Sequence, residues 1–250
     1  MSSKVILQAE RVVKIVGQGA GQVRALKGVN VGLRTGELTL LMGPSGSGKT
    51  TLLSILGCIL SATEGEVKIA GKTTRGLGAE GLADLRRKHV GFIFQSYNLF
   101  PTLTAEENVR LSLDVSGIRG REASKRAREA LEKVGLSHRL NAYPKTMSGG
   151  EKQRVAVARA VAGSPSVVLA DEPTAALDSE NGQAVMALLA EIARDRSRAV
   201  LAVTHDPRTL PFAGRIIRIE DGRIVGDERS SLAAIHVPVK SQKGKSRAHA

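Results

Sequence analysis

The chain has 250 residues, 42% of them hydrophobic, and 37 basic against 24 acidic side chains give it a formal net charge of +13. That length can bury one large core or two closely packed lobes, and no apolar stretch approaches the roughly 20 residues of a membrane-crossing helix. Aromatics make up 2% with no tryptophan, which weighs against base-stacking platforms for single-stranded nucleic acid, whereas the positive charge suits phosphate-bearing partners in general, anionic lipid included.

Met1 to Arg11 carries charges where a signal peptide needs an apolar core, which predicts a chain that is not exported. Leu38 to Met42 is a short apolar run of buried-strand type, and a helical pattern over Lys49 to Leu60 follows it. Between them Gly43-Pro44-Ser45-Gly46-Ser47-Gly48-Lys49-Thr50 fits G-x-x-x-x-G-K-[ST], with Thr51 next in line. The residue types suit a phosphate. Glycines let backbone N–H groups curl round the anion, the helix N-terminus adds partial positive charge, Lys49 neutralises outer phosphates, and the Thr50 hydroxyl can ligate Mg2+. The motif by itself says nucleotide and leaves open which machine uses it. Cys58, the single cysteine, has no intrachain disulfide partner and agrees with a reducing compartment.

Strand signals continue at Glu66 to Ile69 and Val90 to Phe94, so the pattern is α/β. From about Ser96 to Gly163 they give way to helical segments at Ala105 to Val115, Glu122 to Val134 and Gly150 to Ala162, a helical lobe inserted in the α/β lobe. Met147-Ser148-Gly149-Gly150-Glu151 opens the last of these; Ser148 and Glu151 form the S-x-x-E capping box. Two glycines beside exposed helix N–H groups also make a second phosphate-binding helix end. Val167 to Ala170 is an apolar strand that runs into Asp171-Glu172. Ligands in open α/β sheets collect at the carboxyl ends of strands, so Asp171 is placed to partner Mg2+ and Glu172 to polarise the water that attacks a γ-phosphate. Ala199 to Val203 and Arg215 to Ile219 are further strands, and Asp221-Gly222 before Arg223 to Val225 signals a hairpin. Beyond about Asp227 the pattern is lost; Val239 to Ala250 is basic without an acidic or aromatic residue, and residues 228 to 250 are expected to form a disordered tail.

With these segments in order, MSGGEKQRVAVARA resembles the LSGGQ signature of ABC ATPases ahead of VVLADEP. Gln95 in GFIFQ is similar to that family's Q-loop, Ala176-Leu177-Asp178 to its D-loop, and His205 in VTHD to its switch histidine. The resemblance spans roughly Val5 to Val225. It implies a P-loop NTPase (RecA-like) core over residues 1 to 227, with an α-helical subdomain inserted at about 96 to 163 and an antiparallel β subdomain. It also implies a head-to-tail homodimer in which ATP on one P-loop is closed over by Ser148, Gly149 and Gly150 of the second copy. Gln95 would then contact Mg2+ and the lytic water, His205 would hold the γ-phosphate or that water, and an integral membrane permease subunit would be the partner. The stretches LLSILGCI, RRKHVGFIFQSYNLFPTLTAEENV and ADEPTAALD are most similar to the macrolide-exporter and lipoprotein-release branch, which implies a peripheral place on the cytoplasmic side of the inner membrane. The basic tail could contact anionic lipid, and no specific nucleic acid is expected; a soluble ABC ATPase acting on nucleic acid or ribosomes is the alternative that the charge raises. Two departures stand out. Val16 falls where relatives carry an aromatic that stacks on adenine, and Glu151 stands for the usual glutamine.

Overall fold

The computed structural model describes residues 4–229; the expectation of a disordered basic tail lies outside them except at its start. In chain order the elements are β1 (Val5–Val16), β2 (Val23–Arg34), β3 (Leu38–Met42), α1 (Lys49–Leu56), β4 (Glu64–Ile69), β5 (Lys72–Thr73), α2 (Ala79–His89) and β6 (Val90–Ile93). There follow α3 (Ala105–Val115), α4 (Gly120–Lys133), α5 (Gly149–Val161), β7 (Val167–Asp171), α6 (Ser179–Ala193), β8 (Ala199–Val203), β9 (Arg215–Glu220) and β10 (Arg223–Arg229). The last strand runs two residues past the expected domain end at 227, because Asp227 pairs with Ile217 and Arg229 with Arg215, and the Asp227 carboxylate takes two hydrogen bonds from the Arg215 guanidinium.

Two sheets organise the described residues. A four-stranded antiparallel sheet runs β2-β1-β4-β5, and a six-stranded sheet runs β10-β9-β3-β8-β7-β6. In the larger sheet all neighbours are parallel except β9 and β10. Strands β3 and β8 are buried at every residue, as a sheet covered on both faces requires. Alternation divides their side chains between two cores. Leu40, Val168, Ala170, Val200 and Ala202 face a core shared with α3, α4, α5 and α6. Leu41, Leu169, Leu201 and Val203 face a second core with α1 and the antiparallel sheet.

The inserted lobe is held by caps and by close backbone approach. Thr104 caps α3 in a reciprocal box with Glu107, and α5 packs on β6 so closely that a Cβ on Gly91 would lie 2.1 Å from the Ala160 carbonyl oxygen. Helix α1 is shorter than the sequence pattern implies. It stops at Leu56 because Gly57 caps it and Cys58 turns left-handed at φ 55°.

Candidate nucleotide site

Four parallel strands end on the same edge of the six-stranded sheet, and the chemistry gathers there. Strand β3 feeds the glycine-rich loop, its neighbour β8 leads through Thr204 to His205, β7 ends in Asp171 before Glu172, and β6 leads to Gln95. A cleft of about 460 Å3 on this edge is lined by Ala25, Gly43, Pro44, Ser45, Gly46, Gly48, Lys49, Thr50, Thr51, Glu172 and His205. Most of the residues expected to hold phosphate and water therefore meet in one place.

Backbone geometry explains the glycines. Gly48 has φ 99°, and a Cβ there would sit 2.7 Å from the Ala25 carbonyl oxygen; a Cβ on Gly43 would overlap the Ile219 carbonyl oxygen at 2.0 Å. The loop is thus wedged between β2 and the β9–β10 turn, where Gly222 N–H donates to the Ser47 carbonyl at 3.0 Å. Lys49 is buried and its Nζ donates to the Gly43 and Pro44 carbonyls at 2.8 and 2.6 Å, so the ammonium is held over the loop without a carboxylate partner among its hydrogen bonds. The Ser47 Oγ is buried and finds no hydrogen-bond partner within the protein, while its N–H bonds the Pro44 carbonyl at 3.3 Å.

Thr50 Oγ1 lies 3.5 Å from Asp171 Oδ1. Burial and the adjacent Glu172 carboxylate push the Asp171 carboxyl up from its ordinary value, opposed by the Thr50 hydroxyl and Lys49. Glu172 is held in the left-handed region at φ 44° by a bond from its N–H to the Val203 carbonyl at 3.1 Å, and its Oε1 is 3.2 Å from His205 Nδ1. Strain of this kind persists where surrounding structure fixes it, and here it aims the carboxylate into the cleft.

Gln95 is not among the cleft's lining residues; it is exposed, two residues past β6. The segment after it is left-handed at Tyr97 (φ 61°) and Asn98 (φ 48°), and both carbonyls accept from the half-hidden guanidinium of Arg159 on α5. Ser148, Gly149 and Gly150 are likewise absent from the cleft of their own chain. The two glycines lie against residues 176–181: a Cβ on Gly149 would meet Leu177 and the Ala176 carbonyl, and one on Gly150 would sit 2.3 Å from Asn181 Oδ1. Sequence reasoning missed Ala25, a side chain without chemistry, and Arg159, whose role depends on a turn 61 and 62 residues earlier that only the fold brings near.

The family described as ABC transporter matches residues 26–175. Over 220 residues the chain is 45% identical to the macrolide export ATP-binding/permease protein MacB of Shigella flexneri, an alignment covering 88% of this chain and 34% of that protein, and MacB of Escherichia coli (strain K12) aligns with the same shares. The chain thus spans about a third of the length of these curated relatives. Among solved structures, the ATP-binding cassette MJ0796, in a dimeric post-hydrolysis state bound to ADP and Pi, is 42% identical with a TM-score of 0.81, covering 89% of this chain and 98% of that one. The cbiO1 protein of Clostridium perfringens, part of the ABC transporter complex cbiONQ, is 28% identical with a TM-score of 0.80, covering 90% and 88%. These matches give no support to the nucleic-acid or ribosome alternative.

Proposed function

This chain belongs to the ABC transporter family, and from that premise we propose that it is an ATP-binding and ATP-hydrolysing unit that closes as a homodimer to move a membrane permease partner. The observation that carries the reading is the division of labour in one chain. Lys49, Thr50, Glu172 and His205 share a cleft, while the capped glycine end of α5 stands apart from it. A phosphate-type helix end that cannot serve its own cleft fits a second copy arranged head to tail, each closing over the ATP held by the other.

Within that arrangement the loop N–H groups and Lys49 bind the triphosphate. Glu172, hydrogen-bonded to His205, accepts a proton from the attacking water, and His205 orients the γ-phosphate or that water. Gln95 reports on the nucleotide to the permease. Thr50 and Asp171 suit Mg2+, since both offer hard oxygen ligands and the Asp171 carboxyl is destabilised as an anion by burial and by Glu172. Among the described residues no cluster of three His, Cys, Asp or Glu could hold a metal alone, which matches an ion that keeps water and phosphate oxygens. When bound, the ion would neutralise charge on the β- and γ-phosphates.

Among the described residues no helix is long and apolar enough to cross a membrane, and the proposed location is peripheral, on the cytoplasmic face of the inner membrane. Export or extraction of cargo follows by analogy with MacB, a macrolide export ATP-binding/permease protein. The test is Glu172→Gln purified from detergent-solubilised cells with ATP and Mg2+. It should retain ATP, run as a dimer, lose hydrolysis and bring a membrane protein with it; hydrolysis at the unaltered rate would refute the role given to Glu172.

A further inference from the structure

The phosphate-type end of α5 carries an acid that its capping does not require. Glu151 Oε2 accepts from Ser148 N–H at 2.8 Å, and Ser148 Oγ accepts from Glu151 N–H at 3.2 Å. A glutamine closes the same box equally well. The carboxylate therefore adds a negative charge beside Ser148, Gly149 and Gly150, where a triphosphate is to approach, and like charges there oppose closure.

Arg139 stands against that charge. It ends a short 3-10 turn, Ser137–Arg139, on the loop ahead of α5; its Nη2 donates to Glu151 Oε2 at 3.2 Å and its Nε lies 3.0 Å from Oε1. The same Nη2 donates to the Thr146 carbonyl at 2.7 Å, two residues before the Ser148 cap. Both side chains are largely shielded from solvent, at 29% and 18% exposed, so salt screens the pair less than it would a surface pair. Burial works to raise the Glu151 carboxyl, but the Ser148 N–H and Arg139 outweigh it and hold the group below its ordinary value, charged.

We propose that Arg139 is a positioning residue for the signature: it cancels the Glu151 charge and braces the Thr146–Ser148 loop, so that the glycine end of α5 can accept the triphosphate carried by a second copy. The inference rests on the head-to-tail reading given above.

The test uses the Glu172→Gln chain as parent and measures the ATP concentration for half-maximal dimerisation at low and moderate salt. Arg139→Met should raise that concentration by about three- to tenfold, with the larger effect at low salt. Adding Glu151→Gln should return it to within about twofold of the parent, because the unbalanced charge is gone while the cap remains. Glu151→Gln alone should lower it, leaving the Arg139 cation unopposed beside the phosphate. A purely structural role for Arg139 predicts a defect that Glu151→Gln does not relieve, and that result overturns the inference, as does an Arg139→Met chain that dimerises like the parent. If Arg139→Met does not fold, the single Glu151→Gln decides, and an unchanged or raised ATP requirement overturns the inference. A parent that stays monomeric at saturating ATP removes the head-to-tail reading itself, and this inference with it.

Discussion

Val16 and Val23 face each other across the end of the β1–β2 hairpin, 38% and 60% exposed, two residues before Ala25 enters the nucleotide cleft. An exposed aliphatic pair can cover one face of a base but gives up the roughly 1–3 kcal/mol that an aromatic platform adds per stacked base. The expected outcome is modest ATP affinity and loose ATP/GTP discrimination. Val16→Tyr should tighten ATP binding by about fivefold or more, readable as a dissociation constant by calorimetry. Affinity in the range usual for relatives together with sharp adenine preference in the unaltered chain would refute this. Glu172 shows a different dependence on its surroundings: the sequence placed it next to Asp171, but the left-handed backbone that aims it and its 3.2 Å approach to His205 come from the pairing of β7 with β8.

Among the elements, β6 and α5 meet where Gly91 lies under the end of the signature helix. Backbone cannot yield there as a side-chain tip can, so Gly91→Ala should cost about 2 to 3 kcal/mol and lower the melting temperature by about 5 to 10 °C in a chain of this size. Gly163→Ala, with nothing within 4 Å of the added carbon, should barely move it and serves as the control in thermal unfolding. The elements legible in the sequence were those with an unbroken period, a continuous apolar run or a clear turn signal: β3, β6, β7 and β8 at the cleft edge, β4, β9, β10 and α1 beside them, and α3, α4 and α5 in the insert. Strands β1 and β2 were not, for a physical reason. The register shifts between Ala9 and Val12, where Arg11 is left-handed, and Gly28 at φ 87° interrupts β2 between the buried Leu26 and Val29, so neither strand keeps an alternation of two. Helix α2 was also silent, because Leu85 is its only buried residue and no apolar stripe marks it. The phosphate-loop residues and Glu172 could be named in advance since glycine loops and carboxylates at strand ends are local signals, whereas His205 was named through the family resemblance and Ala25 was missed. The grips of Arg159 and Arg139 could not, as each depends on a loop brought near by folding.

Over the whole molecule, the +13 charge is shared between the described residues and the basic stretch after them, in which residues 240 to 247 supply four of the cations. If the tail contacts anionic lipid, each basic residue near the surface contributes about 1 kcal/mol, and deleting residues 238 to 250 should reduce recovery with anionic vesicles while leaving ATP hydrolysis intact. Unchanged sedimentation with vesicles removes the lipid contact. The order of strands has a consequence in time. Strand β3, which carries the phosphate loop, is flanked by β8 and β9, so both of its neighbours are made more than 150 residues after it. At about 5–20 residues per second of synthesis, the apolar run Leu38–Met42 waits on the order of ten seconds or longer on the ribosome with neither edge paired. The loop that grasps nucleotide gains its β9 neighbour and its Gly222 contact only after those later residues are made, so nucleotide is expected to act late in folding rather than as an early template.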